Sequence, residues 1–289
     1  MRRKVILAVA FIVTIGIAMF AGTNIINALE RQTYTATYSL KAGGLNRSYK
    51  VIGPVAGLPD SAPVIVVLSG INAPVDVEIK RDSMVPYAAA GLAELVYPVG
   101  YRMSWNAGGC CGKAATHNVD DIAFMKALVA TVDPGHKHPL IVVGYSNGGR
   151  LAYRMACSSS DPFDETVIVK AMPDDGCVLR RPLTILQIDS LNDPFIPYQP
   201  GDKGSESPPA TVQNAGLRAL DGCTGASVAT RRSAMTYTTW SSCRSGQRVG
   251  FAVWDGENHS FPYPKGNTPA ASQIIWAFFT KTPVAPLPD

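Results

Sequence analysis

Apolar strand-length runs alternating with helical patterns predict an α/β fold: a mostly parallel central sheet with helices on both faces. Three observations carry this. Val64–Leu68 (VIVVL) and Leu140–Val143 are apolar on successive residues, as strands buried on both faces must be, and Leu183–Ile188 repeats the strand signal. Asp120–Val132 places Ile122, Met125, Leu128, Val129 and Val132 on one helical face. No repeat or low-complexity linker divides the 289 residues, 46% of them hydrophobic, which suits one large domain. At 17% charged residues the chain lies outside the disordered class.

Arg2, Arg3 and Lys4 precede an uncharged apolar run, Val5 to Gly22. A basic start followed by such a run is an export signal, and its length meets the roughly 17–25 residues of a membrane span. Phe20-Ala21-Gly22 and Ile26-Asn27-Ala28 are poor cleavage sites because each begins with a bulky residue. An N-terminal hydrophobic helix acting as an uncleaved signal-anchor is therefore expected over 1–31, with a cleaved signal peptide as the alternative. Residues 32–289 form the expected exported domain. Positive charge stays on the cytoplasmic side, so this domain is extracytoplasmic, membrane-anchored or secreted.

The strand signals continue with Leu95–Tyr97, Val167–Val169 and Val249–Trp254. Ser227–Thr230 and Met235–Trp240 look like a strand pair. Arg150–Ala156 and Thr211–Leu220 look helical. Thr268-Pro269 opens a last helix carrying Ile274, Ile275, Phe278 and Phe279, with proline suited to its first turn. Pro200–Pro209 reads as a surface loop, and the Pro-rich tail after Thr282 as frayed.

The formal charge of +4 comes from 26 Lys and Arg against 22 Asp and Glu. Residues 1–31 hold four of the cations and one of the acids, leaving the body at +1. A nucleic-acid partner would call for a basic face in that body, and none is expected. The six cysteines (Cys110, Cys111, Cys157, Cys177, Cys223, Cys243) are an even count in an exported chain, which points to disulfides. No Cys-x-x-Cys pair occurs and no histidine stands near a cysteine at ligand spacing, so no zinc is expected. Cys223 and Cys243 bracket the strand pair and are expected to bond. The other four allow three pairings, and the sequence does not choose among them.

Gly144-Tyr145-Ser146-Asn147-Gly148 has the form G-x-S-x-G. Chance alone would place such a pentapeptide in a chain of this composition on the order of 0.1 times, so its setting matters. It follows the strand Leu140–Val143 and leads into the helical Arg150–Ala156. A turn of this kind holds its central residue in a strained conformation, needs small neighbours, and exposes the hydroxyl at a helix N-terminus. Ser146 is the candidate nucleophile. It needs a base, and of the four histidines His259 has the right place: a loop after the last strand and after Ser146 in the chain. His117 lies beside the vicinal cysteines, while His136 and His138 lie in a polar loop. The acid is expected between serine and base, at Asp193, with Asp189 as the alternative and Asp174 or Asp175 more remote. The acid would fix the imidazole tautomer and stabilise imidazolium. The oxyanion donors are expected to be the N–H groups of Asn147 and, from the loop Ser69-Gly70-Ile71-Asn72, of Ile71.

At these residues the chain resembles the secreted polyhydroxybutyrate depolymerase and feruloyl esterase-like group of α/β-hydrolases, including actinobacterial lipoprotein esterases. The resemblance spans roughly Val64 to Pro262. Its most specific part is Ser104-Trp105-Asn106-Ala107-Gly108-Gly109-Cys110-Cys111-Gly112, with Val119-Asp120-Asp121 downstream. Asp193-Pro194 and Ile196-Pro197-Tyr198 are similar to the family's acid loop, and Asn258-His259-Ser260-Phe261-Pro262 to its His-x-Trp-Pro. The resemblance implies the α/β-hydrolase fold and Ser146, Asp193 and His259 as the triad. Trp105 and Tyr145 are the candidate substrate-binding residues, with a packed loop as the alternative for Trp105. Asp120 and Asp121 are expected to cap the following helix. Ser69-Gly70 and Asp189-Ser190 stand where the family carries His-Gly. Phe261 replaces a tryptophan and is expected to reshape the acyl or alcohol pocket.

The expected function is a serine carboxylesterase acting on small or oligomeric esters of hydroxyalkanoate, feruloyl or acetyl type. It would need no metal or organic cofactor, and a monomer is expected. An acyltransferase or peptidase on the same triad is the alternative within enzymes, since fold and triad do not fix the acceptor. A non-catalytic, membrane-tethered binding protein is the alternative outside them.

Overall fold

The structure is a computed structural model that describes residues 32–174, 177–179, 181–206, 208–225, 227–256 and 258–288. The signal-anchor expected at 1–31 lies outside the described residues, as does Asp175. Among the described residues no helix is long and apolar enough to cross a membrane.

Among the described residues ten strands form one sheet: β1 (Thr33–Ala42), β2 (Leu45–Pro54), β3 (Val64–Leu68), β4 (Glu94–Pro98), β5 (Leu140–Tyr145), β6 (Glu165–Val169), β7 (Thr184–Ser190), β8 (Val228–Arg232), β9 (Met235–Trp240) and β10 (Val249–Trp254). Their order is β1-β2-β4-β3-β5-β6-β7-β10-β9-β8. The six from β4 to β10 in that order run parallel, and each end is extended by two antiparallel strands. Among the described residues seven α-helices of five residues or more accompany them: α1 (Val75–Arg81), α2 (Val85–Ala89), α3 (Gly112–Thr116), α4 (Asp121–Val132), α5 (Asn147–Ala156), α6 (Ala210–Leu220) and α7 (Ala271–Thr280).

Strand alternation divides the core in two. Val64, Val66 and Leu68 join Leu140 and Val142 under Phe124, Met125 and Leu128 of α4 and Leu151 of α5. Ile65, Val67, Ile141 and Val143 face the other way, onto Tyr87 of α2 and Ile274, Ile275 and Phe278 of α7. Successive strand side chains point to opposite faces, so a strand apolar at every position is one with both faces covered. This α/β-hydrolase arrangement is the predicted one.

The hairpin β1–β2 and the short helices α1, α2 and α3 have no counterpart in the sequence reading. The Pro-rich tail is not frayed. Val284 and Leu287 pack on the core, and Gln273 Nε2 donates to the Ala285 carbonyl at 2.6 Å. The disulfides pair Cys223 with Cys243, Cys157 with Cys177, and Cys110 with its neighbour Cys111. The first is the expected one, and the other two settle the pairing left open.

Candidate active site

Strand β5 ends at Tyr145 and α5 begins at Asn147, so Ser146 alone makes the turn, at φ 52° and ψ −117°. Positive φ is costly for a residue with a Cβ and persists only where the surroundings enforce it. Here they do. A Cβ on Gly144 would collide with the Gly148 backbone, and one on Gly148 with the carbonyls of Leu68 and Ser69. The two glycines let strand, helix and the loop after β3 close on one another.

Ser146 Oγ lies 2.9 Å from His259 Nε2, and His259 Nδ1 lies 2.8 Å from Asp193 Oδ2. The Asp193 side chain is 1% exposed and that of His259 19%. Asp193 Oδ1 accepts the N–H groups of Phe195 (2.9 Å) and Ile196 (3.1 Å). Burial pushes the Asp193 carboxyl up, but the hydrogen bond and charge of His259 and the two N–H donors outweigh it. The carboxyl is held below its ordinary range. Asp189, the alternative acid, is 1% exposed and accepts from Gln187 Nε2 at 2.7 Å, not from histidine. Asp174 is also elsewhere, accepting from Gly109 N–H and lying 3.9 Å from Arg150.

The histidine loop is tied to the sheet by its carbonyls. Tyr145 OH donates to the His259 carbonyl at 2.6 Å, and Lys170 Nζ donates to that of Asn258. Tyr145 is 7% exposed, beneath the Arg81 guanidinium (5.1 Å) and edge-on to Phe261 (5.9 Å). Its place argues for holding the histidine rather than touching substrate, which revises the sequence expectation. Tyr145→Phe keeps the packing and loses one buried hydrogen bond, of about 1 kcal/mol. It should lower kcat severalfold with KM little changed, as steady-state kinetics on a soluble ester would show.

The loop after β3 brings Ile71 beside the elbow. An added Cβ on Gly70 would lie 3.5 Å from Ser146 Cβ and 3.0 Å from the Tyr145 ring. Ser69 O accepts from Trp105 Nε1 at 2.9 Å, and the Gly70 N–H faces the buried Glu78 carboxyl. Among the described residues no protein acceptor takes the N–H of Ile71 or of Asn147. Both N–H groups are thus left without a protein acceptor among the described residues.

Trp105 requires a correction. It is 0% exposed and cannot face substrate. Its backbone N–H donates to Asn147 Oδ1 (2.8 Å), and its carbonyl accepts from Asn147 Nδ2 (3.0 Å). Trp105 therefore splices the elbow helix to the loop after β3, and the Asn147 side chain has a role that sequence reasoning missed. Asp120 caps α4 by accepting from Ala123 N–H, as expected. Asp121 instead is buried, pairs with Arg47 at 2.8 Å and accepts the Asn106 N–H. Phe261, 0% exposed, packs on Tyr145. The aromatic that does stand open at the site is Phe195, 47% exposed and edge-on to His259 at 4.8 Å. Its position two residues after the acid was the available signal.

Burial pushes the Asp189 carboxyl up to about 7 from 3.8, against the Gln187 hydrogen bond and the Lys170 charge. Between those values the folded chain holds a proton that the unfolded chain has released. The stability so gained is full below the unfolded value and is lost as pH rises through 7. Asp189→Asn removes this titration. The melting temperature of the variant relative to the parent should therefore rise from pH 5 to pH 8, as thermal melts would show.

Fold and elbow together define an α/β-hydrolase with a histidine and a buried carboxylate aligned on its turn serine. No protein-family model matches the chain. The probable feruloyl esterase C of Aspergillus terreus is 29% identical over 197 residues, covering 66% of this chain and 66% of that protein's own length. Feruloyl esterase C of Emericella nidulans is 26% identical over 210 residues, covering 70% and 71%. Among solved structures, the acetyl xylan esterase from Aspergillus awamori superposes with a TM-score of 0.54 at 11% identity, over 85% of this chain and 99% of that one, a likeness of fold. The chain thus has the α/β-hydrolase fold and is similar over about two thirds of its length to feruloyl esterases.

Proposed function

We propose that the chain is an exported serine ester hydrolase working through Ser146, His259 and Asp193. The observation that carries this is the aligned relay of 2.9 and 2.8 Å set on a strained turn between two free N–H donors. His259 takes the proton of Ser146 as Oγ attacks the ester carbonyl. The oxyanion forms between the N–H groups of Asn147 and Ile71, where fixed donors stabilise charge at no cost of reorganisation. Imidazolium, stabilised by Asp193, then protonates the departing alcohol. Water, activated by the same histidine, releases the acid from the acyl-serine.

The substrate class is small or oligomeric esters of feruloyl, acetyl or hydroxyalkanoate type. The names of the relatives support the first of these. The proposed arrangement is a 1–31 signal-anchor or signal peptide followed by a 32–289 catalytic domain outside the cytoplasm. Three disulfides suit an oxidising compartment. The test is turnover by the purified domain of short-chain nitrophenyl esters, methyl ferulate and hydroxybutyrate oligomers, beside peptide substrates. Ester turnover is expected. Peptide cleavage without ester cleavage would overturn the reading.

A further inference from the structure

The motif running from Trp105 to Gly112 does more than splice loops. Near its two ends it meets the oxyanion loop around a cavity of about 370 Å³, lined by Ile71, Asn72, Arg102, Ser104, Lys113 and Thr116. Ile71 belongs to both places: its N–H is the proposed oxyanion donor, and its side chain, 38% exposed, is a wall of the cavity. The cavity is therefore joined to the proposed oxyanion loop through Ile71.

Its walls are fixed by hydrogen bonds. Asn72 N–H donates to the Met103 carbonyl at 2.8 Å. Ser104 Oγ donates to the Tyr101 carbonyl at 3.0 Å and accepts the Ala114 N–H of α3 at 2.9 Å. Asn72, Arg102 and Met103 all have positive φ, of 58°, 47° and 57°, a costly backbone that these bonds sustain.

The charge is one-sided. Arg102 and Lys113 line the cavity and no carboxylate does. Elsewhere on the body some cations are answered, Lys50 by Asp76, Arg150 by Glu206, Arg181 by Asp161 and Arg231 by Asp255. Among the described residues neither Arg102 nor Lys113 enters an ion pair. Arg102 instead lies over the Tyr101 ring at 5.6 Å. In a body of nearly balanced charge, two unanswered cations beside the reacting centre make a local anion site.

We propose that this cavity is a substrate subsite that receives a free carboxylate carried by the ester. Arg102 would supply a planar fork and Lys113 a point charge. The substrates so favoured are half-esters and acid-terminated oligoesters. The inference rests on the ester hydrolase reading, and its test separates the two.

The test compares two matched pairs of esters. One pair differs on the acyl side, nitrophenyl hemiadipate against nitrophenyl hexanoate. The other differs on the alcohol side, 4-acetoxybenzoate against its methyl ester. In at least one pair kcat/KM should favour the anion by about fivefold, mainly through KM, and the preference should shrink in high salt. Arg102→Gln with Lys113→Gln should abolish it, while Arg102→Lys with Lys113→Arg should retain most of it. No anionic preference in either pair, or one that survives the double glutamine variant, would overturn the subsite. Failure of the parent protein to turn over any of the four esters would instead overturn the ester hydrolase reading.

Discussion

Ser146→Ala should lower kcat on any ester substrate by about 10⁴–10⁶-fold, close to the loss from removing the whole relay. The Ser146 hydroxyl is the proposed nucleophile, and it sits 2.9 Å from His259 Nε2. The substitution removes one partly buried oxygen and leaves the turn, still at φ 52°, to a residue that also bears a Cβ. Stability should therefore change little. Residual rate should persist from Asn147 and Ile71, whose N–H groups are untouched. Steady-state kinetics beside a thermal melt would check both halves: an unchanged melting temperature with turnover at the limit set by the oxyanion donors.

Asp193→Asn should cost about 10⁴-fold in kcat near neutral pH while leaving the fold intact. The reason lies in which atoms the backbone holds. The Phe195 and Ile196 N–H groups both donate to Oδ1, so an asparagine would present its carbonyl oxygen there and turn its NH₂ toward His259 Nδ1. Facing a donor, Nδ1 must be the unprotonated nitrogen. The ring proton then sits on Nε2, aimed at Ser146 Oγ, and that nitrogen cannot accept the serine proton. Turnover and labelling by a serine-directed fluorophosphonate should fall together, with circular dichroism unchanged.

Much of this site was legible in the chain because its constraints are local. A serine between glycines at a strand-to-helix turn is written in five consecutive residues. Chain order and strand ends then leave few places for a base and an acid, and the structure brings Ser146, His259 and Asp193 together. Sequence reasoning failed where a residue type has two common uses. Trp105 suggested a substrate contact, but its indole and backbone are used to join the elbow to the loop after β3. Tyr145 suggested the same, and its hydroxyl is used on the histidine loop. Asp120 and Asp121 look alike in sequence, yet only the first caps. The second is buried against Arg47, 74 residues earlier, a partnership that no local pattern announces.

The missed hairpin has a different cause. β1 is half exposed, without the continuous apolar run that marked the central strands. Its readable signal was Gly43-Gly44, both at positive φ (54° and 77°), the two-residue turn that twisted hairpins favour. Tyr38 and Tyr49 pair across it and stack at 5.5 Å. The helices α1, α2 and α3, at five to seven residues, are too short to display a helical period.

The most direct test of the proposed chemistry is the address of a covalent adduct. The folded domain would be treated with a fluorophosphonate, digested and mapped by mass spectrometry. The expected result is one adduct, on Ser146, lost in Ser146→Ala and strongly slowed in His259→Ala. An adduct on another residue, or none at all on folded protein that still hydrolyses esters, would contradict the assignment of Ser146 as the nucleophile.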